Sequence, residues 1–153
     1  MSWSKSRLMF DTFLDRLAGL WTLTGNMGST GLSQKVNARW VIQGQFLEVH
    51  CIEEGSVTQD QPLYEAVYML GYDSQSKEYS MHLFDTFGAN YARTIGIGTR
   101  HDDSVEFLFE YPNSHFSNTF TWDKETGGWE MLLRQKEEYN AWKVFAKKIL
   151  TRE

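Results

Sequence analysis

The sequence is poor in cysteine and in long apolar runs. Cys51 is the single cysteine among 153 residues, so no disulfide forms within the chain. A chain of this length buries enough apolar surface to fold without a disulfide or a structural metal. A lone cysteine is typical of a reducing compartment, and no apolar run is long enough for a signal peptide or a membrane span. These absences predict a cytoplasmic protein without a membrane span.

Proline and positive charge are also scarce. Only two prolines are present, and no segment has the low complexity that is typical of disorder. The formal net charge is −5, whereas a nucleic-acid-binding protein usually carries a basic stripe. Lys143, Lys147, Lys148 and Arg152 alternate with apolar residues at strand spacing and are interpreted as solvated strand faces. We therefore expect a single domain over residues 1–153 with no nucleic-acid partner.

One amphipathic pattern near the N-terminus predicts a helix. Apolar residues between Leu8 and Leu17 recur on one face of a helix with 3.6 residues per turn. Gly19 is a typical helix stop, and Ser4 or Ser6 is the expected cap. The helix is predicted over about residues 4–17, across one end of the fold.

The rest of the chain consists of short runs with period-two alternation, separated by turn residues. Residues 91–99 are predicted as one such strand, and residues 25–33, rich in Gly, Asn, Ser and Thr, as a loop. About ten strands without an intervening helix favour an antiparallel sandwich or barrel. A closed barrel leaves no exposed edges. We predict an all-β fold, a single antiparallel β-barrel of about ten strands over about residues 20–152.

A motif at the junction of the helix and the first strand resembles a known superfamily. G-L-W at residues 19–21 resembles the G-x-W signature of calycins, the superfamily of lipocalins and fatty-acid-binding proteins. The resemblance implies a calycin-like barrel in which Trp21 packs at the closed end under a basic residue of the last strand. Arg152 stands where that partner is expected, so both residues are assigned to barrel closure.

A second resemblance covers most of the chain. W-V-I-Q-G-Q-F-L-E-V-H at residues 40–50 and L-G-Y-D-S-Q-S-K-E-Y at residues 70–79, together with Asp85 and the terminal I-L-T-R, resemble a bacterial domain family of unknown function. A lipocalin-like barrel is assigned to that family. Its usual G-G-R-F is reduced here to G-Q-F at residues 44–46. The resemblance implies a fold and much less about function.

Nitrobindins, which bind haem in a similar barrel, are a more distant comparison. Their N-terminal G-x-W-x-G-x-G is matched only by G-L-W-T-L-T-G at residues 19–25. Their haem-ligating histidine lies late in the chain, whereas this sequence has no histidine after His115. No cofactor is therefore expected. No two histidines have the spacing of a zinc site, so no metal is expected either.

The candidate ligand-binding residues combine large rings with a few polar anchors. His50 and His82 lie in the middle of strands, either as ordinary core or surface histidines or as anchors for a ligand head group. Arg93 is either an outward residue paired with a glutamate or an inward clamp, since its planar fork matches a carboxylate. The alternation leaves open which strand face is inside. The full candidate set is Trp40, His50, Tyr68, His82, Arg93, Phe107, Phe109 and Phe120.

These features favour an intracellular protein that binds a small, largely apolar molecule inside the barrel. A carboxylate is one polar head group that such a molecule would carry. Three alternatives stay open: an isomerase- or cyclase-like enzyme with His50 or His82 as acid or base, a haem or tetrapyrrole binder, and a filled barrel that acts as a dimerising module. A homodimer is expected through the last strand, where Trp142, Val144 and Ala146 share one face and Phe145 and Ile149 the other.

Overall fold

The computed structural model describes residues 10–55, 63–137 and 139–153. These residues form one short helix, eleven strands and one 3₁₀ turn, Tyr91–Arg93. The elements are α1 (Thr12–Asp15), β1 (Gly19–Met27), β2 (Thr30–Val41), β3 (Phe46–Glu53), β4 (Glu65–Asp73), β5 (Glu78–Asp85), β6 (Gly96–Gly98), β7 (Arg100–His101), β8 (Ser104–Tyr111), β9 (Ser114–Asp123), β10 (Gly128–Glu137) and β11 (Lys143–Arg152). No helix in these ranges is long and apolar enough to cross a membrane.

Ten of the strands close into an antiparallel barrel. The neighbours run from β6 through β5, β4, β3, β2, β1, β11, β10 and β9 to β8, and β7 is an additional strand beside β8. Pairing of Ile97 on β6 with Leu108 on β8 joins the two ends of the sheet. The predicted all-β barrel is therefore confirmed, and a closed ten-stranded barrel is consistent with a calycin-like fold.

The helix near the N-terminus is shorter than predicted. Its predicted start and both proposed caps, Ser4 and Ser6, lie outside the described residues, and within them α1 covers only Thr12–Asp15. Asp11 is the N-cap, and its carboxylate accepts a hydrogen bond from the Leu14 N–H at 2.8 Å. Bonds from Arg16 N and Leu17 N to the carbonyls three residues earlier tighten the last turn. The chain then enters β1 at once.

Two other local predictions were wrong. Residues 25–33 are not a loop, because β1 and β2 continue through them and meet in a two-residue turn at Gly28, whose φ of +63° a glycine adopts without strain. Residues 91–99 are not one strand, because the Ala92 N–H donates to the Ala89 carbonyl and a 3₁₀ turn precedes the three-residue β6.

A column of aromatic rings fills the half of the barrel next to α1. We call the end that α1 covers the capped end and the opposite end the distal end. Phe13 of α1 packs edge-on against Trp129, with ring centroids 5.2 Å apart, and Trp129 packs against Phe120. Phe120 in turn contacts Phe107 on the neighbouring strand β8 at 6.0 Å and Tyr68 on β4, across the barrel, at 6.3 Å. Any internal site therefore lies in the distal half.

Candidate functional site

The distal end carries a continuous chain of aromatic rings. The centroids of neighbouring rings in this row lie 5.8 to 6.4 Å apart. Two of them, Phe87 and Tyr91, are 71% and 45% exposed, although rings of this size usually avoid water. An exposed apolar cluster of this kind marks a contact site. We call this set the aromatic rim: Tyr64, Phe87, Tyr91, Tyr111, Phe109, Phe116 and Phe145.

Between β5 and β6 the described part of the distal end has no continuous strand. Residues 86–95 form the barrel wall there through a loop and the 3₁₀ turn instead of a strand, and they hold Phe87 and Tyr91. Backbone segments with few ladder bonds open at the lowest free energy. This segment is therefore expected to open more easily than the strands beside it.

Small residues line the interior just below the rim. Cys51, Ala66 and Ala146 face inward from β3, β4 and β11 and are each at most 2% exposed. Gly96 on β6 leaves space that the Phe109 ring fills, because an added Cβ would lie 2.5 Å from that ring. Small residues therefore line this part of the distal interior.

Three buried polar side chains in the same half of the interior have polar atoms without a protein partner. Lys148, Gln34 and Asn118 are 3%, 4% and 2% exposed. Gln34 Oε1 and Asn118 Oδ1 have no hydrogen-bond partner, and Lys148 forms no hydrogen bond or ion pair with any residue that the structure describes. Buried polar groups are nearly always paired, and leaving them unpaired costs free energy. The distal half thus contains buried polar atoms that no protein group satisfies.

Lys148 owes its inward position to the pairing of β11 with β1. It lies opposite Gly25, which has no side chain, and an added Cβ at Gly25 would lie 2.3 Å from the Lys147 carbonyl oxygen. Burial lowers the pKa of the Lys148 amine, and only a charge interaction with Cys51 opposes this. Burial likewise raises the pKa of the Cys51 thiol to about 12, so the group next to Lys148 is neutral.

One hydrogen-bonded pair orders the rim. The Tyr64 hydroxyl donates to Asp85 Oδ2 at 3.0 Å, and Asp85 Oδ1 accepts the Phe87 N–H at 2.9 Å. The Tyr64 N–H donates to Glu53 Oε2 at 2.9 Å. Burial, with the Asp85 charge as a further cause, holds the pKa of the Tyr64 phenol well above its usual range. Tyr64 is thus a neutral donor, and Asp85 joins it to the Phe87 segment.

Four of the eight predicted site residues lie inside the barrel. Tyr68, Phe107, Phe109 and Phe120 are at most 3% exposed. Tyr68, Phe107 and Phe120 form the floor below the distal half, and Phe109 belongs to the aromatic rim. Trp40 lies at the capped end instead, where its indole N–H donates to Asp15 Oδ1 at 2.8 Å.

The three predicted polar anchors lie away from the interior. His50 is on the outer face of β3 and contacts Glu65 Oε2 on β4. His82 is on the outer face of β5, because Met81 is the buried neighbour on the inner face. Arg93 is exposed in the 3₁₀ turn. These three residues do not come together in the interior, because strand alternation puts Val49, Cys51 and Met81 inside instead.

Lys148 is the candidate site residue that sequence reasoning missed. It was interpreted as part of a solvated face together with Lys147, but only Lys147 is on the outside, where its ammonium lies 3.7 Å from Glu130 Oε1. The available signal was the period-two frame of β11, in which Ala146, Lys148 and Leu150 share one face. Ala146 is consequently also not part of an outward face, whereas Val144, Phe145 and Ile149 are 65%, 39% and 42% exposed.

The described residues contain no group of three or more His, Cys, Asp or Glu side chains placed to hold a metal ion. Compared with known proteins, the chain matches no family model. It also matches no curated protein. The structure itself defines the class of protein as a closed antiparallel β-barrel with a capped end and an aromatic distal end.

Proposed function

We propose that the protein binds a small, largely apolar molecule in the distal half of its barrel, with a polar head group at Lys148. The observation that carries this proposal is the buried amine of Lys148, which has no partner among the described residues, together with the unpaired amide oxygens of the buried Gln34 and Asn118. A barrel that only needed to be filled would have apolar residues at these positions, because unpaired burial destabilises the fold. A ligand that pairs with them removes that cost when it binds.

The aromatic rim supports an apolar, ring-containing body for the ligand. Rings provide large contact areas and prefer offset or edge-on neighbours at the spacings seen along the rim. A molecule that enters beside Phe87 and Tyr91 passes Phe109 before it reaches Lys148. The same proposal includes three further points. They are the lipocalin-like family suggested by the sequence motifs, a cytoplasmic location, and a homodimer through the exposed residues of β11.

A filling substitution tests the location of the site. Ala146→Phe adds a ring to the distal interior, whereas Thr24→Phe adds the same ring on the solvent face of β1. With N-phenyl-1-naphthylamine as a fluorescent apolar probe, we expect saturable binding to the unmodified protein and to the Thr24 variant. The Ala146 variant should lose most of the signal while keeping its circular dichroism spectrum. Equal binding by all three proteins, or by none, would contradict the proposal.

A further inference from the structure

We propose that Lys148 reacts with the bound molecule, capturing an aldehyde or ketone carbonyl as a reversible imine. This inference rests on the proposed function, because it assigns a chemical class to the ligand of that same site. It begins from the difference between Lys148 and an ordinary lysine. An ammonium is strongly hydrated and is rarely fully buried without a partner, yet Lys148 is 3% exposed and unpaired among the described residues.

The surroundings of Lys148 favour the neutral amine. The titratable groups that face the same interior are Cys51 and Tyr68, and burial raises the pKa of both, so neither supplies a negative charge. The nearest inward carboxylates, Glu53 and Asp85, are at the rim and accept hydrogen bonds from Tyr64. A neutral amine in an apolar site is the form of lysine that attacks carbonyl groups.

The same surroundings favour a carbonyl over a carboxylate as the ligand head group. A carboxylate would need a cationic partner and several donors, whereas the unpaired amide atoms of the distal interior are the acceptors Gln34 Oε1 and Asn118 Oδ1. A neutral carbonyl brings no charge into the interior. The hydroxyl of the carbinolamine that forms first is also a donor, the kind of group that the two unpaired amide oxygens lack.

The reaction balances without an oxidant or reductant. The Nζ lone pair of Lys148 forms a bond to the carbonyl carbon, and the C=O π pair moves to oxygen. One proton passes from nitrogen to that oxygen and gives the carbinolamine. The C–O bond then breaks, a second nitrogen proton leaves with the oxygen as water, and a C=N bond remains. Water reverses each step, so the captured ligand is released intact.

Reductive trapping tests this chemistry directly. The purified protein is mixed with trans-cinnamaldehyde and sodium cyanoborohydride at neutral pH, and intact mass and peptide mapping locate the adduct. We expect one adduct, at Lys148, formed faster than at the exposed neighbour Lys147. The Lys148→Met variant should lose it, and Lys147→Met should keep it. Labelling of Lys147 and other exposed lysines at the same rate as Lys148 would overturn the inference, and peptide mapping of the unmodified protein decides this even where a variant fails to fold.

A second probe separates failure of the imine from failure of the binding site. Cinnamyl alcohol has the same shape without a carbonyl, and its displacement of N-phenyl-1-naphthylamine reports binding alone. Displacement by the alcohol together with trapping of the aldehyde at Lys148 supports both proposals. Displacement without trapping overturns the imine and leaves the binding function intact. If the unmodified protein shows no saturable binding of N-phenyl-1-naphthylamine, both the binding function and the imine are overturned.

Discussion

The Arg152 guanidinium lies 4.1 Å from the centroid of the Trp21 ring. Its two terminal nitrogens donate to the carbonyls of Ala18 and Arg16, at 3.2 and 3.1 Å. Trp21 is fully buried, and its indole N–H donates to the Leu17 carbonyl at 2.7 Å. The last strand therefore holds the segment between α1 and β1 in place and closes the capped end.

Replacing Arg152 by Met should weaken this closure. The variant keeps an apolar stem over Trp21 but loses the cation and both hydrogen bonds, and we expect unfolding free energy to fall by about 1–2 kcal/mol. The control is Arg39→Met, since Arg39 forms an exposed ion pair with Glu48 at 3.3 Å. This replacement should lower the unfolding free energy by less than about 1 kcal/mol. Urea unfolding measures both, and equal losses would show that the contact with Trp21 adds nothing.

Gly25 should tolerate no side chain. An added Cβ would lie 2.3 Å from the Lys147 carbonyl oxygen and 2.9 Å from the Lys148 Cα, so β1 and β11 would have to separate. We expect Gly25→Ala to destabilise the fold by about 1–3 kcal/mol. Gly31→Ala is the matched control, because an added Cβ at Gly31 on β2 meets nothing within 4 Å. The melting temperatures of the two variants should differ clearly, and similar values would contradict the close approach of β11.

Lys148→Met should stabilise the ligand-free protein at neutral pH. Burial lowers the pKa of Lys148 in the folded protein below its ordinary value of 10.5. At pH values between these two pKa values, Lys148 is protonated in the unfolded chain and neutral in the folded protein. Stability of the unmodified protein therefore rises with pH through that window. The advantage of the Met variant should shrink as the pH approaches 10, as measured by urea unfolding against Lys147→Met. An advantage independent of pH would mean that Lys148 titrates normally.

Cys51 should be chemically inert in the folded protein. Its side chain is 1% exposed and its pKa is raised to about 12 by burial, so the reactive thiolate is absent at neutral pH. We expect no reaction with Ellman's reagent in buffer and one thiol per chain in urea. Rapid labelling of the native protein would show that the distal half opens to water far more often than its packing indicates.

The barrel itself was predictable because its evidence is local. Period-two alternation and turn residues mark strands wherever one face is buried, and only segments without clean alternation were misassigned. At residues 25–33 a polar composition concealed two long strands that meet at Gly28. At residues 91–95 apolar residues suggested a strand, although the local bond between Ala92 and Ala89 forms a turn.

The site was less predictable because it depends on which face of each strand is inside. His50 and Cys51 are adjacent in sequence, and the barrel selects Cys51 for the interior. On β11 apolar residues occur on both faces, so Lys147 and Lys148 cannot be distinguished until the pairing with Gly25 is known. The aromatic rim likewise joins Tyr64, just before β4, with residues of β8, β9, β11 and the β5–β6 connection, which only the closed barrel brings together.

Native mass spectrometry of gently purified protein, before and after exposure to cell extract, tests the central claim most directly. Binding in the distal half predicts a small molecule at one copy per chain that is lost on denaturation, and that is absent from the Ala146→Phe variant. A clean ligand-free mass under both conditions would contradict the claim. The same mass carried by the unmodified protein and the Ala146 variant alike would place the ligand elsewhere on the barrel.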